Sequence, residues 1–309
     1  MYIFIINRIA GGGRAVQVFN MIKNHPLYHQ VKCRSYVTEY EGHAEKLAQQ
    51  VASIYSESIT CFVVIGGDGT VHECVNGLKH FPTIPISCIA AGSGNDFVRG
   101  YGLSGDPVEV FRRIVEHHNK DYWPGNFWTD SKRERNRRLF VNSISFGFDA
   151  EITQTANHST YKKRLNKWKI GSISYVIALF QVLRRYKPLT VELEIDGKRQ
   201  LFENVLMVTI SNQPYYGGGM KINPSARIRP VSLSTLIIKN LSAWKIPFLF
   251  VSVFFGWHVH LKEVSVMQGN KIKLESKNTI VYQVDGQTGK CEICQVSKEE
   301  QARNIRGGK

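Results

Sequence analysis

The chain is short of acid: 25 Asp and Glu stand against 40 Lys and Arg, giving a formal net charge of +15 over 309 residues. No apolar run reaches the roughly 18 residues that a membrane-spanning helix needs. The nearest, from Ile246 to Val259, is broken by Pro247, Ser252, Gly256 and His258. The six cysteines are scattered, and Cys291-x-x-Cys294 has no second pair, which argues against zinc and for alternating strand residues. Cys61 and Cys88 lie in apolar runs and read as buried thiols. Gly-x-x-x-x-Gly-Lys-Ser/Thr occurs nowhere, which excludes a P-loop. No nucleic-acid-binding motif is present, so the positive charge points to an anionic membrane surface and not to nucleic acid. Tyr2–Ile6 reads as a strand with no signal-peptide pattern ahead of it, and the expectation is a reduced, cytoplasmic protein.

Glycine is plentiful and clustered. Val63-Val64-Ile65-Gly66-Gly67-Asp68-Gly69-Thr70 is an apolar run ending in three glycines around one carboxylate, then one hydroxyl, with an amphipathic segment behind it. The pattern predicts a strand, a phosphate-sized loop and a helix. Glycine lets backbone approach an anion closely, and the first N–H groups of the helix point at it. Asp68 is the kind of oxygen ligand that Mg²⁺ takes, and Thr70 can donate to a phosphate. The dinucleotide fingerprint fails because His72 stands where glycine is needed. A zinc-protease reading of His72-Glu73 fails because position 76 is Asn.

The first third of the chain alternates expected strands (Tyr2–Asn7, Lys32–Val37, Thr60–Ile65, Ile84–Ile89) with expected helices (Ala15–His25, Gly42–Ser56, Val71–Leu78). Such alternation predicts a parallel sheet covered by helices, with ligands beyond the carboxyl ends of the strands. Three loops fall there: Asn7–Arg14, Gly66–Thr70, and Ala91–Asp96; Thr38 falls there too. Their convergence predicts one nucleotide site. After about residue 121, short β-rich runs take over, Asp196-Gly197 and Asp285-Gly286 read as hairpin turns, and a helix is expected over Ser172–Tyr186. The second part therefore reads as a mostly β sandwich or partial barrel.

Two basic clusters, Lys132–Arg138 and Lys162–Lys169, are solvated loops or membrane contacts; Tyr161, Trp168 and Tyr175 beside the second favour a membrane interface. The aromatic stretch Trp244–Trp257 reads as a helix packed in the second core, with an acyl-chain groove or bilayer contact as the alternative. His258 and His260 read as surface histidines, and Ser297–Lys309 as a disordered tail.

The run Gly66–Leu78, paired with Gly92-Ser93-Gly94-Asn95-Asp96-Phe97, resembles the catalytic domain of diacylglycerol and sphingosine kinases, and most nearly the soluble bacterial lipid kinases of the YegS/DgkB type. Asn7-Arg8-Ile9-Ala10-Gly11-Gly12 is similar to their first loop, Thr38-Glu39 to their Thr-Glu, and Phe146–Glu151 to a segment early in their second domain. The resemblance spans nearly the whole chain. It implies an α/β N-terminal domain of the NAD kinase/phosphofructokinase kind over residues 1–121, with the tail 295–309 able to pack back on it, and a β-rich lipid domain over 122–294. It implies an ATP- and Mg²⁺-dependent kinase acting on diacylglycerol or a related lipid, peripheral to the inner membrane face, in phospholipid biosynthesis; a homodimer is allowed. Asn7, Gly11, Gly12, Thr38, Gly66, Gly67, Gly69, Thr70, Glu73, Ser93, Gly94 and Asn95 would hold ATP, and Asp68 the metal. Asn95 is read equally as a helix cap. Asp68, Asp285 and Gln287 are the candidate catalytic groups.

Three positions depart from that family. Gln287 stands where Asp-Gly-Glu supplies a presumed proton acceptor, Arg227–Ser232 has no carboxylate where a structural Mg²⁺ would sit, and Trp123-Pro124-Gly125 replaces an Asp-x-Gly. They keep open a nucleotide- and lipid-binding regulator without turnover. A soluble-metabolite kinase of the NAD kinase type is a third alternative.

Overall fold

The computed structural model describes every residue except 117–118, 132–136, 159–176, 180 and 309. The second basic cluster, its neighbouring aromatics, most of the first cluster and the start of the helix expected over 172–186 lie outside the described residues. The chain divides into two compact units, Met1–Trp123 with Gln301–Lys309, and Pro124–Glu300.

In the first unit, β1 (Tyr2–Asn7), β2 (Cys33–Thr38), β3 (Cys61–Gly66) and β4 (Ile86–Ala90) are parallel, in the order β2-β1-β3-β4. A tail strand, Arg303–Arg306, continues the sheet beside β4, and β5 (Asn119–Tyr122) closes it antiparallel. All six residues of β3 are buried, as a parallel strand covered on both faces requires. The helices are α1 (Arg14–Lys23), α2 (Pro26–Gln30), α3 (His43–Tyr55), α4 (Asp68–Gly77), α5 (Asp96–Gly100) and α6 (Pro107–Glu116). Helix α3 buries Ala44, Ala48, Val51 and Ala52, one stripe at helical spacing. Helix α4 packs against it so closely that a Cβ on Gly77 would lie 2.3 Å from the Glu45 carbonyl oxygen.

The tail corrects an expectation. Instead of disorder, Arg303 donates to the carbonyls of Leu78 and Lys79 at 3.0 and 2.8 Å, and Arg306 to that of Ile114 at 2.7 Å. Two cations thus satisfy carbonyls at the C-terminal ends of α4 and α6, where the helix dipole favours positive charge.

The second unit is a sheet paired antiparallel throughout. Its strands are β6 (Gly125–Thr129), β7 (Arg138–Phe140), β8 (Ser143–Gly147), β9 (Leu189–Ile195), β10 (Lys198–Ser211), β11 (Leu233–Lys239), β12 (Val264–Gly269), β13 (Lys271–Val284) and β14 (Gln287–Lys298). Their order is β12-β11-β10-β8-β13-β14-β6-β7, with β9 pairing both β10 and β13. Both predicted hairpins form: Asp196-Gly197 has φ of 48° and 84°, and Asp285-Gly286 of 46° and 91°. Two successive positive φ values make the type I′ turn that suits strand twist.

Helices α7 (Phe148–His158) and α8 (Ile246–Phe255) cover a second apolar cluster containing Leu206, Ile238 and Met207. Helix α8 meets the packed-core expectation on one face only: Ile246, Leu249 and Val253 are buried, while Phe248 and Val251 are exposed. His258 is a correction: it is wholly buried, its Nε2 lies 2.8 Å from the Ile222 carbonyl, and burial lowers its pKa. All six cysteines are free. Cys291 and Cys294 are buried residues of β14, and the Cys61 thiol is pushed up to about 12 by burial.

Candidate functional site

The carboxyl ends of β1, β3 and β4 carry three loops that touch backbone to backbone. After β1, Gly11 and Gly12 adopt φ of 58° and 66°. A Cβ on Gly11 would lie 2.2 Å from the Ala91 carbonyl oxygen, in the loop after β4. A Cβ on Gly92 would lie 2.5 Å from the Cα of Gly67, in the loop after β3. Only glycine permits this approach. The N–H groups of Ala91 and Gly92 both donate to the Gly66 carbonyl, at 2.9 and 3.0 Å. Asn7 Nδ2 donates to Thr70 Oγ1 at 2.9 Å and ties the first loop to the second. Thr38 stands opposite Asn7 in the sheet and is buried. Asn7, Gly11, Thr38, Gly66, Gly67, Thr70 and Gly92 are thus gathered at one end of one sheet.

Asp68 opens α4, and its carboxylate also reaches the next helix. Oδ1 accepts the Phe97 N–H at 2.8 Å and Oδ2 the Asp96 N–H at 3.1 Å. Asp68 therefore caps α5. Asn95 does not: it sits at φ 57°, and its side chain folds onto Gly92, accepting from the N–H at 3.0 Å and donating to the carbonyl at 2.8 Å. Ser93 is exposed between them, and Gly69 and Gly94 are half-buried. Glu73 is engaged elsewhere, accepting the N–H groups of Gly42 and Ala44 at 3.0 and 3.2 Å at the start of α3. Burial raises its pKa, and those two N–H groups oppose the rise.

Among the described residues no group of three or more His, Cys, Asp or Glu could hold a metal. Asp68 alone suits an ion that arrives on phosphates, since Mg²⁺ is commonly held by one or two carboxylates plus phosphate oxygens and water. Each Asp68 oxygen accepts one backbone N–H and has capacity for more.

The second unit holds a small apolar cavity of about 50 Å³, partly open to solvent, under α8. Phe148, Ile152, Leu206, Leu249 and Val253 line it, and Asp149 is the acid in its wall. Asp149 is 7% exposed; its Oδ2 accepts the Ser145 hydroxyl, and its Oδ1 has no partner at hydrogen-bond distance. Desolvation pushes its pKa up to about 6, offset in part by Ser145, the Ala150 N–H and Tyr216. Behind it, Gln283 Nε2 donates to Ser145 Oγ at 2.8 Å, and the Gly286 N–H donates to Gln283 Oε1 at 3.1 Å. One hydrogen-bond chain runs from the β13–β14 turn to the cavity wall.

A phosphate-type loop cluster in one unit and an apolar cavity in the other agree with what the whole chain matches. Residues 1–126 match the diacylglycerol kinase catalytic domain, and residues 142–294 the YegS C-terminal NAD kinase beta sandwich-like domain. The Bacillus subtilis protein named "Putative lipid kinase YtlR" is 30% identical over 289 residues, 93% of each chain. The chain belongs to the diacylglycerol kinase family. A Mycobacterium tuberculosis diacylglycerol kinase is 28% identical over 242 residues, 78% of this chain and 75% of that one. In fold, the chain is similar to the crystal structure of a "putative diacylglycerol kinase" from Bacillus anthracis, with a TM-score of 0.77 at 22% identity, covering 98% of this chain and 94% of that one.

The Asp285-Gly286-Gln287 turn is tightly held at its first residue. Asp285 accepts the N–H groups of Val141, Asn142 and Ser143, at 2.8, 2.9 and 3.3 Å. It is buried, and it clamps the lead-in to β8. Gln287, two residues on, is half-buried at the start of β14 opposite Val284. Ser145, Gln283 and the inward role of Asp149 were missed in the sequence. The available signal was a lone carboxylate, Phe148-Asp149-Ala150, directly after an apolar strand.

Proposed function

We propose that this chain is an ATP-dependent lipid kinase that transfers the γ-phosphate to a hydroxyl of diacylglycerol or a related lipid at the cytoplasmic face of the membrane. The observation that carries the reading is the glycine-to-backbone contact of three loops at the carboxyl ends of β1, β3 and β4. Such an end is where a doubly covered parallel sheet takes its ligand.

In this reading Gly66, Gly67, Gly69 and Thr70 receive the phosphates at the N-terminus of α4, where the dipole favours anions. Asn7, Gly11, Gly12, Thr38, Ser93 and Gly94 border the nucleotide, and Asn95 keeps the third loop closed on Gly92. Glu73 acts indirectly, by holding the start of α3. Asp68 would hold Mg²⁺ brought by ATP, and the ion would supply neutralisation of phosphate charge. The lipid's acyl part meets the second unit at the mouth of the small apolar cavity beside Asp149, which has to widen to take it. The lipid oxygen bonds to the γ-phosphorus as the bond to the β–γ bridging oxygen breaks, leaving ADP and a phosphorylated lipid. The hydroxyl proton leaves late, to water or to an oxygen of the transferred phosphate, because a loose transition state demands little from a base. Gln287 cannot take that proton, and Asp285 serves as a positioning residue.

The test is transfer of label from γ-labelled ATP to diacylglycerol in mixed micelles with anionic phospholipid, alongside sphingoid bases, monoacylglycerol and undecaprenol. Labelled lipid supports the reading. No labelled lipid across the panel, with ATP binding retained, selects the non-catalytic regulator motivated by Gln287. Labelled NAD instead selects the soluble-metabolite kinase.

A further inference from the structure

Helix α8 has no polar face. Its inner residues Leu249 and Val253 line the cavity, while Phe248, Val251 and Phe255 on the other side are 69%, 59% and 58% exposed. Trp244 just before the helix and Trp257 just after it are 68% and 65% exposed. A helix that is apolar all round is ordinarily covered all round. Contiguous exposed rings of this kind mark an interaction surface. Indole rings at both ends of an apolar segment suit the boundary between water and acyl chains.

Along the chain, the charge flanking this helix is almost all of one sign. No Asp or Glu occurs between Glu203 and Glu263, an interval holding Lys221, Arg227, Arg229, Lys239, Lys245 and Lys262. Lys221 joins the end of the helix through its N–H, which donates to the Val253 carbonyl at 3.1 Å. Lys245 precedes the helix with its ammonium 5.7 Å from the Trp244 ring centroid, and it pairs with Glu263 at 2.8 Å. Aromatic residues on a helix face with lysine and arginine around it form the pattern of an interfacial helix lying in an anionic leaflet.

We infer that the outer face of α8, bounded by Trp244 and Trp257, inserts into the headgroup–acyl boundary of an anionic bilayer. Its residues are distinct in the chain from the basic clusters at 132–138 and 162–169. It lays one side of the helix on the lipid while the other side forms the cavity wall. The inference draws its purpose from the lipid-kinase reading, but vesicle binding without ATP measures it alone.

The full chain is sedimented with vesicles of phosphatidylcholine containing phosphatidylglycerol. Wild type should pellet with the vesicles, and the Phe248→Glu/Val251→Glu variant should bind about tenfold or more weakly. Both changed side chains are exposed, and unchanged circular dichroism and thermal midpoint establish that the variant is folded. Brominated acyl chains should quench tryptophan fluorescence in wild type, and much less in Trp244→Phe/Trp257→Phe. Equal vesicle binding by the glutamate variant overturns the inference, as does wild type that fails to pellet or is not quenched. A wild-type dimer that the glutamate variant dissociates, seen by sedimentation equilibrium, also overturns it and gives the face to a second copy. Vesicle insertion without phosphotransfer in micelles would instead remove the kinase reading and leave this one standing.

Discussion

Phe97 donates its backbone N–H to the Asp68 carboxylate at 2.8 Å, so the acid that opens α4 also starts α5. The third loop is held between the Gly66 carbonyl and α5, and this one side chain sets its far end.

Asp68→Asn separates the two tasks. The amide oxygen still accepts one N–H, so the fold should survive with a loss of about 1 kcal/mol, typical of a weakened cap. Phosphotransfer should fall by about 100-fold or more, as expected where a charged group is removed from a phosphoryl-transfer site. Urea unfolding and kcat in mixed micelles read the two effects. Activity within a few-fold of wild type would leave Asp68 as a cap alone.

Gly92→Ala and Gly69→Ala should behave oppositely toward stability. The first pushes a methyl group to 2.5 Å from Gly67 Cα, so the second and third loops must part. A loss of about 1–3 kcal/mol is expected from such overpacking, together with a raised KM for ATP. The second meets nothing within 4 Å and lies in the first turn of α4. Alanine there should stabilise by up to about 1 kcal/mol through helix propensity, yet still weaken ATP binding by keeping phosphates off the backbone. Calorimetric ATP titration with thermal melts checks both; tight ATP binding by Gly69→Ala would take Gly69 out of the phosphate site.

Asp149 should make stability depend on pH. Burial lifts its carboxyl to about 6 in the folded chain, against an ordinary value of 3.8. Below about pH 3 it is neutral in both folded and unfolded chains. Between about pH 4 and 6 the unfolded chain ionises while the folded one stays protonated, so stability falls and then levels off above about 6. Asp149→Asn should therefore be more stable than wild type by on the order of 3 kcal/mol at pH 8, at 1.36 kcal/mol per pKa unit, with the difference gone near pH 3. A difference independent of pH would show that Asp149 is ionised without penalty.

Gln287→Glu should raise turnover by about tenfold or more, since a placed general base contributes about 10²–10⁴ in rate. Asp285 cannot substitute cheaply, because its oxygens hold three N–H groups at Val141–Ser143. The measurement is kcat across pH, where the gained base should add an acidic limb to the profile. No gain at any pH would mean that deprotonation does not limit the reaction.

What could be read from the chain alone followed the range of the interactions. Strands β1, β3 and β4 are largely apolar runs, so local pattern found them and their loops. The start of α4 was placed three residues late, at Val71 instead of Asp68, because glycines inside a first turn look like loop. The clamping task of Asp285 was not legible because its partners lie 142 to 144 residues away in the chain. His258 read as surface because the Ile222 carbonyl that satisfies it is 36 residues distant. The tail read as disordered because polar, basic composition does not reveal that Arg303 meets Leu78 across 225 residues.

That last contact sets an order of events. Arg303–Arg306 is a strand of the first unit, yet the ribosome makes it only after all of the second unit. The nascent first unit has β4 without its neighbour and α4 and α6 without the arginines that finish them. The sheet of the first unit is therefore completed only after synthesis has passed residue 306, so a chain cut short of it would carry every phosphate-loop residue on an unfinished sheet.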